Sequence, residues 1–198
     1  MSEPKTLLQM SGANLVPAKL GQAGLVLIDY QNEYLEGPVA VSGAKAAIAS
    51  AAVLLAAARS KATPLWHIAH KGRAGSLFDR DAPRGQIVEA LAPRPGEVVV
   101  EKGLPNAFAG TDLHARIQAA GCQEIIIIGF MTHLCVSSTV RAALDLGYRV
   151  TIAADACGTR PLPDGHGGTV EASLLNEVAL VELSDRFAII ARDHRALF

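Results

Sequence analysis

Five places in this sequence put polar side chains directly behind an apolar run. Asp29 follows "LVLI", His70 follows "LWHIA", Lys102 follows "VVVE", and Asp155 follows "VTIAA". Behind the run Ile125–Ile128 comes "GFMTHLCVSSTV" (129–140), which carries Thr132, His133 and Cys135 into the next helix-forming stretch. A thiol in the first turn of a helix meets unused N–H groups and the positive end of the helix dipole. Both favour a thiolate, and the N–H groups could hold an oxyanion. Cys135 therefore reads either as a nucleophile or as a small buried apolar residue, and its position alone leaves both open. Asp29, if buried, needs a partner; it reads as a general base or as a structural cap. Lys102 alone reads as a solvated side chain. Beside an Asp–Cys pair, its charge would offset the carboxylate and the developing thiolate.

The elements that must position these residues are short and continuous. "GLVLIDY" (24–30), "TPLWHIAH" (63–70), "GEVVVEK" (96–102), "QEIIIIGF" (123–130), "YRVTIAAD" (148–155) and "RFAIIA" (186–191) read as strands buried on both faces. Between them lie helical stretches: "GAKAAIASAAVLLAAARS" (43–60), "TDLHARIQAAG" (111–121) with a Thr cap, "THLCVSSTVRAALDLG" (132–147) with Thr132 as its N-cap, and "GTVEASLLNEVALVEL" (168–183). The alternation predicts an α/β fold with helices on both faces of a parallel sheet. In such sheets ligands bind outside the carboxyl ends of the strands, where the polar residues above stand. Residues 71–95, rich in Gly and Pro, predict a long surface connection with one short helical turn that covers a site.

The chain of 198 residues is read as one domain, 1–198, with residues 1–20 as an N-terminal arm. Eighteen Lys and Arg against nineteen Asp and Glu leave a formal charge of −1. That balance gives no basis for binding nucleic acid or an anionic membrane. No apolar run reaches the ~18 residues of a membrane span, and the first twenty residues lack a signal-peptide core, so a cytoplasmic location is expected. Three cysteines without a CxxC predict neither a disulfide framework nor a zinc knuckle. No GxGxxG or GxxxxGK[ST] occurs.

Three segments in order, "LVLIDYQNEY", "VVVEKGLPNAFAGTDL" and "IIIIGFMTHLCVSSTVRAALDLGYRVTIAADACGTR", resemble the isochorismatase-like cysteine hydrolases. That superfamily includes nicotinamidases and N-carbamoylsarcosine amidase. The resemblance runs from about residue 22 to the C-terminus. It implies three α/β/α layers around a six-stranded parallel sheet of order 3-2-1-4-5-6. It implies a catalytic triad of Asp29, Lys102 and Cys135, a cis peptide between Phe130 and Met131, and an oxyanion hole made by the N–H groups of Met131 and Cys135. The activity implied is hydrolysis of an amide-type C–N bond in a small molecule through a thioester. Gln31, Tyr34, His70, Asn106, Phe108, Thr132 and His133 are the candidate substrate-binding residues, with Trp66, Leu77 and Phe78 as further pocket-wall candidates. The family commonly forms homodimers or homotetramers.

The sequence also departs from its relatives. Nicotinamidases hold a metal on an Asp-x-His after the second strand. Here His67 and His70 are three apart, on opposite faces of a strand, and no Asp lies two before either. No metal and no cofactor are expected. Members that cleave the vinyl ether of isochorismate replace the Cys by a small residue, so Cys135 favours C–N hydrolysis. The alternatives are an isochorismatase-type vinyl-ether hydrolase and a non-catalytic thiol sensor on the same fold.

Overall fold

The computed structural model describes residues 3–198. Six strands, β1 Gly24–Ile28, β2 Leu65–His70, β3 Val98–Lys102, β4 Glu124–Phe130, β5 Arg149–Gly158 and β6 Ile189–Ala191, form one sheet of order β3-β2-β1-β4-β5-β6. Every neighbouring pair is parallel. The longer helices are α1 Ala44–Ser60, α2 Leu113–Ala119, α3 Ser137–Asp145 and α4 Ala172–Arg186.

Side chains that alternate along each strand fill two separate cores. Leu25, Leu27, Ile126 and Ile128 pack with Ala47, Ile48, Ala51, Leu54 and Leu55 of α1 on one face. Val26, Ile28, Ile125 and Ile127 pack with Leu113, Ile117, Val140 and Leu183 of α2, α3 and α4 on the other. Strands apolar on both sides become the middle layer of three because each face must be covered. Fully burying a leucine such as Leu54 contributes roughly 1.5–3 kcal/mol.

β1 and β4, distant in sequence, are neighbours, and Ile28 stands opposite Gly129. Gly129 has φ +143°, and a Cβ there would lie 2.2 Å from the Ile28 carbonyl oxygen. Only glycine allows the two strands to run this close at the switch point. The strand ends that carry Asp29 and Cys135 are thereby brought side by side.

The predicted boundaries hold within a few residues, with two exceptions. The 71–95 connection contains two short 3₁₀ turns, Pro83–Gly85 and Glu89–Leu91, where one turn was expected. The helix expected over 132–147 begins instead as a π-helical turn, Thr132–Val136, before α3. Near the N-terminus, a short helix, Leu7–Met10, is tied to α4 by a 2.8 Å bond from the Leu7 N–H to Asp185, and the Ala18 N–H reaches Thr151 Oγ1 at 3.0 Å.

Candidate active site

Asp29 follows β1 with left-handed backbone, φ +54°. Few residues but Asn and Asp tolerate that region without glycine's freedom. Its N–H is spent on the Ile68 carbonyl at 2.9 Å, and its carbonyl accepts the Gln31 N–H at 2.8 Å. The turn projects a fully buried carboxylate over the end of the sheet. Lys102 ends β3, two strands away and opposite His70 of β2. Its side chain is also fully buried, and Nζ lies 2.7 Å from Asp29 Oδ2, 3.2 Å from His70 Nδ1 and 3.3 Å from Cys135 Sγ. Hydrogen bonds go to the ring and the sulfur. The contact with Asp29 is a fully buried ion pair.

These surroundings set the protonation states. Burial raises the Asp29 pKa above the ordinary value, although the charge of Lys102 pulls it down. Burial, then the charge of Asp29, pushes the Cys135 thiol up to about 12, with Lys102 opposing. The thiolate expected at a helix N-terminus is therefore corrected: desolvation and a neighbouring carboxylate outweigh the dipole, and the resting group is a thiol. Burial and Lys102 together lower His70. Neutral at pH 7, it accepts the Lys102 proton at Nδ1 and carries its own at Nε2. Donor atoms of Asp29, His70 and Cys135 lie within 4.8 Å of one another, a metal-like set, with the Lys102 ammonium in contact with all three. The sequence reading did not foresee that arrangement of His70.

The turn bearing Cys135 is fastened at several points. The Phe130–Met131 peptide is cis, as the resemblance implies. The Val136 N–H bonds the Met131 carbonyl at 3.2 Å, the i to i−5 spacing of a π turn. Thr132 does not cap a helix. Its hydroxyl donates to the Gly158 carbonyl at 3.0 Å, tying the turn to the end of β5. His133 Nδ1 bonds Thr159 Oγ1 next to it. Thr139, which the sequence reading missed, donates to the Cys135 carbonyl at 2.7 Å and accepts the Ala107 N–H at 3.0 Å. Its i+4 spacing from Cys135 was the signal available.

Other candidates lie elsewhere. Gln31 spends its amide on backbone: Nε2 donates to the His70 and Gly85 carbonyls at 2.9 and 2.7 Å, and Oε1 accepts the His70 N–H at 2.8 Å. It clasps the 71–95 connection to β1 and β2, with no amide group left for a ligand. Asn106 Oδ1 closes a local turn on the Phe108 N–H at 2.9 Å. Phe108 stacks on Tyr148, before the start of β5, at 6.0 Å and 12°, so apolar packing draws it to the other end of the sheet. Trp66 is core, against Gly24 and Cys122. Asp155 pairs with His194 at 2.6 Å. His67 is buried and pairs with Glu97 at 3.0 Å.

Phe78 and Tyr34 form the cover. Phe78 has φ +62° and packs between Tyr34 and His70, each 5.1 Å away ring to ring. Buried Glu33, also missed, anchors the cover through Arg84 at 2.6 Å. Cys135 is only 2 % exposed, and the surface hollow lined by Glu33, Leu77, Asp79 and Arg84 stops short of it. A ligand reaches the sulfur only if this cover moves.

The profile of the isochorismatase domain matches residues 23–188. The chain belongs to the isochorismatase family. A crystal structure of an isochorismatase from Pseudomonas putida KT2440 superposes with TM-score 0.95 at 41 % identity, covering 99 % of this chain and 100 % of that one. The secreted isochorismatase effector Isc1 of Verticillium dahliae is 36 % identical over 84 % of this chain and 85 % of its own length. A streptothricin hydrolase of Streptomyces noursei is 32 % identical over 85 % of this chain and 62 % of its own. A maleamate amidohydrolase of Pseudomonas putida is 28 % identical over 77 % of both. The isochorismatase-family relatives of this hydrolase thus include amidohydrolases. No helix among the described residues is long and apolar enough to cross a membrane.

Proposed function

We propose that the protein is a cysteine hydrolase that cleaves an amide-type C–N bond in a small molecule, with Asp29, Lys102 and Cys135 as its catalytic residues. The observation that carries the reading is the buried Lys102 ammonium, 2.7 Å from the Asp29 carboxylate and 3.3 Å from the Cys135 sulfur. A buried carboxylate beside a protonated thiol is placed to take its proton.

When substrate fills the pocket, Asp29 takes the Cys135 proton and the sulfur attacks the carbonyl carbon. The negative charge then sits on the carbonyl oxygen, held by the N–H groups of Met131 and Cys135. The Met131 N–H has no other acceptor among the described residues, which supports this role. Collapse breaks the C–N bond, Asp29 delivers its proton to the leaving nitrogen, and a thioester remains on Cys135. Asp29 then deprotonates a water, which attacks the thioester and releases the acid, and the proton returns to the sulfur. Lys102 keeps the carboxylate and the developing thiolate compatible throughout. Tyr34, His70 and His133 are the substrate contacts once the cover has moved, and Thr132 fixes the turn.

The same proposal includes a cytoplasmic homodimer or homotetramer acting on a small molecule. Leu174, Val178 and Val181, exposed on one face of α4, support self-association. A thiol sensor would need an exposed sulfur of lowered pKa, and burial of Cys135 argues against it. The test is ammonia release from small amides, ureides and carbamoyl compounds, with Cys135→Ala as blank. That variant is expected to keep its fold and lose both turnover and the acyl adduct in the intact mass. Undiminished ammonia release by Cys135→Ala would refute the thioester route.

A further inference from the structure

We propose that His70 is a positioning residue of the cysteine hydrolase read above: its Nδ1 accepts one Lys102 N–H and so keeps the ammonium turned toward the Cys135 sulfur.

An ammonium has three N–H donors and no acceptor. Lys102 Nζ has three neighbours to match them: Asp29 Oδ2 at 2.7 Å, His70 Nδ1 at 3.2 Å and Cys135 Sγ at 3.3 Å. They are unequal. The carboxylate is the strong acceptor and the sulfur the weak one. With those two alone, the ammonium is free to turn and spend a second N–H on the carboxylate in place of the sulfur. The ring nitrogen takes that N–H, and the third stays on the sulfur. A charged donor held on the sulfur stabilises the thiolate that forms when Cys135 loses its proton.

His70 is itself fixed from three sides. In the parallel register of β2 and β3 it stands opposite Lys102. Gln31 grips its backbone twice, with Oε1 accepting the His70 N–H at 2.8 Å and Nε2 donating to the His70 carbonyl at 2.9 Å. Phe78 packs against the ring, 5.1 Å between centroids. Burial, then the charge of Lys102, holds the ring below its ordinary pKa, which leaves the Nδ1 lone pair free to accept. Gln31, which also holds the Gly85 carbonyl of the cover at 2.7 Å, thus acts on the nucleophile through His70 and Lys102.

The test uses the full chain and needs no substrate. Nitrogen NMR of the native protein at about pH 7.5 is expected to show His70 with the proton on Nε2 and none on Nδ1. It should also show a slowly exchanging ammonium signal from Lys102, the only buried lysine among the described residues, assigned by its loss in Lys102→Met. Alkylation of Cys135 by iodoacetamide at about pH 9, followed by peptide mass spectrometry, gives the chemical readout. His70→Leu fills the space without an acceptor. It should lose the ammonium signal and slow alkylation about threefold to tenfold, the range one hydrogen bond supplies. His70→Asn offers a carbonyl oxygen in the place of Nδ1 and should keep both the signal and the native rate. A proton on Nδ1 in the native protein overturns the positioning role, and so does a native alkylation rate in His70→Leu. Asparagine leaves more room than leucine, so a rate governed by access alone would put His70→Asn above the native protein, which also overturns it. Undiminished ammonia release by Cys135→Ala would instead overturn the hydrolase reading and leave these signatures standing.

Discussion

Replacing Lys102 by Met tests the electrostatic centre of the site most directly. The substitution keeps the length and apolar stem of the side chain but removes the cation that lies 2.7 Å from Asp29. Asp29 is fully buried, and no other ion pair reaches its carboxylate among the described residues. An isolated buried carboxylate does not stay charged; it takes up a proton. At pH 7 this costs about 1.4 kcal/mol for each pH unit above the ordinary carboxylate value near 3.9, or about 4 kcal/mol. That matches the roughly 3–5 kcal/mol found when one partner of a buried pair is removed. His70 offers a second route, since Lys102 no longer opposes its protonation. Either route adds one proton to the folded state, so the folded-state pKa lies above the unfolded one. The deficit is then smallest at low pH and grows as pH rises toward the folded pKa. Urea unfolding at pH 5 and pH 8 measures it. The variant should lose roughly 3–4 kcal/mol at neutral pH, recover part of that at the acid end, and show no turnover. Unchanged stability at neutral pH, with no difference in pH dependence from the native protein, would show that Asp29 is solvated and would remove the basis of the mechanism.

The raised pKa of Asp29 predicts that kcat/KM falls on the acid side as the carboxylate is protonated, at a higher pH than for an ordinary aspartate. With the Cys135 thiol near 12, labelling by iodoacetamide should rise through the alkaline range without a plateau at neutral pH; a plateau below pH 8 would contradict the assigned resting state. Gln31→Leu removes three hydrogen bonds to His70 and Gly85, each contributing about 0.5–1.5 kcal/mol, and should expose residues 71–86 to limited proteolysis. A cleavage pattern identical to that of the native protein would mean that the clasp does not hold the cover. Gly129→Ala places a Cβ 2.2 Å from the Ile28 carbonyl oxygen and should lower stability in urea by several kcal/mol, about the size reserved for strained backbone or overpacking. A loss below about 1 kcal/mol would mean that β1 and β4 separate easily.

Much of the framework was legible because strands buried on both faces have a distinctive composition. "IIIIGF" and "VTIAAD" announce themselves without knowledge of their neighbours, and the residues behind them fall at the carboxyl edge of the sheet by geometry alone. Asp29, Lys102 and Cys135 were nameable for that reason, and the resemblance supplied the strand order that joins them. Errors came where partners are distant in sequence. Thr132 has the residue type of a helix cap, yet a carbonyl 26 residues away takes its hydroxyl. Phe108 follows Lys102 closely, yet Tyr148, 40 residues on, draws it to the opposite edge. Gln31 adjoins Asp29, yet its amide serves a connection 54 residues downstream.

What the sequence by itself determined is the set of groups: an α/β chain, and an acid, an amine and a thiol each at the end of a strand. These follow from local patterns, because hydrophobic period and strand-end position are properties of neighbours along the chain. What only the tertiary structure decided is their state. Whether Cys135 is thiol or thiolate, and how far burial raises the pKa of Asp29, depend on which distant atoms displace water around each charge. Desolvation and pairing act through space and carry no signature in the residues next door.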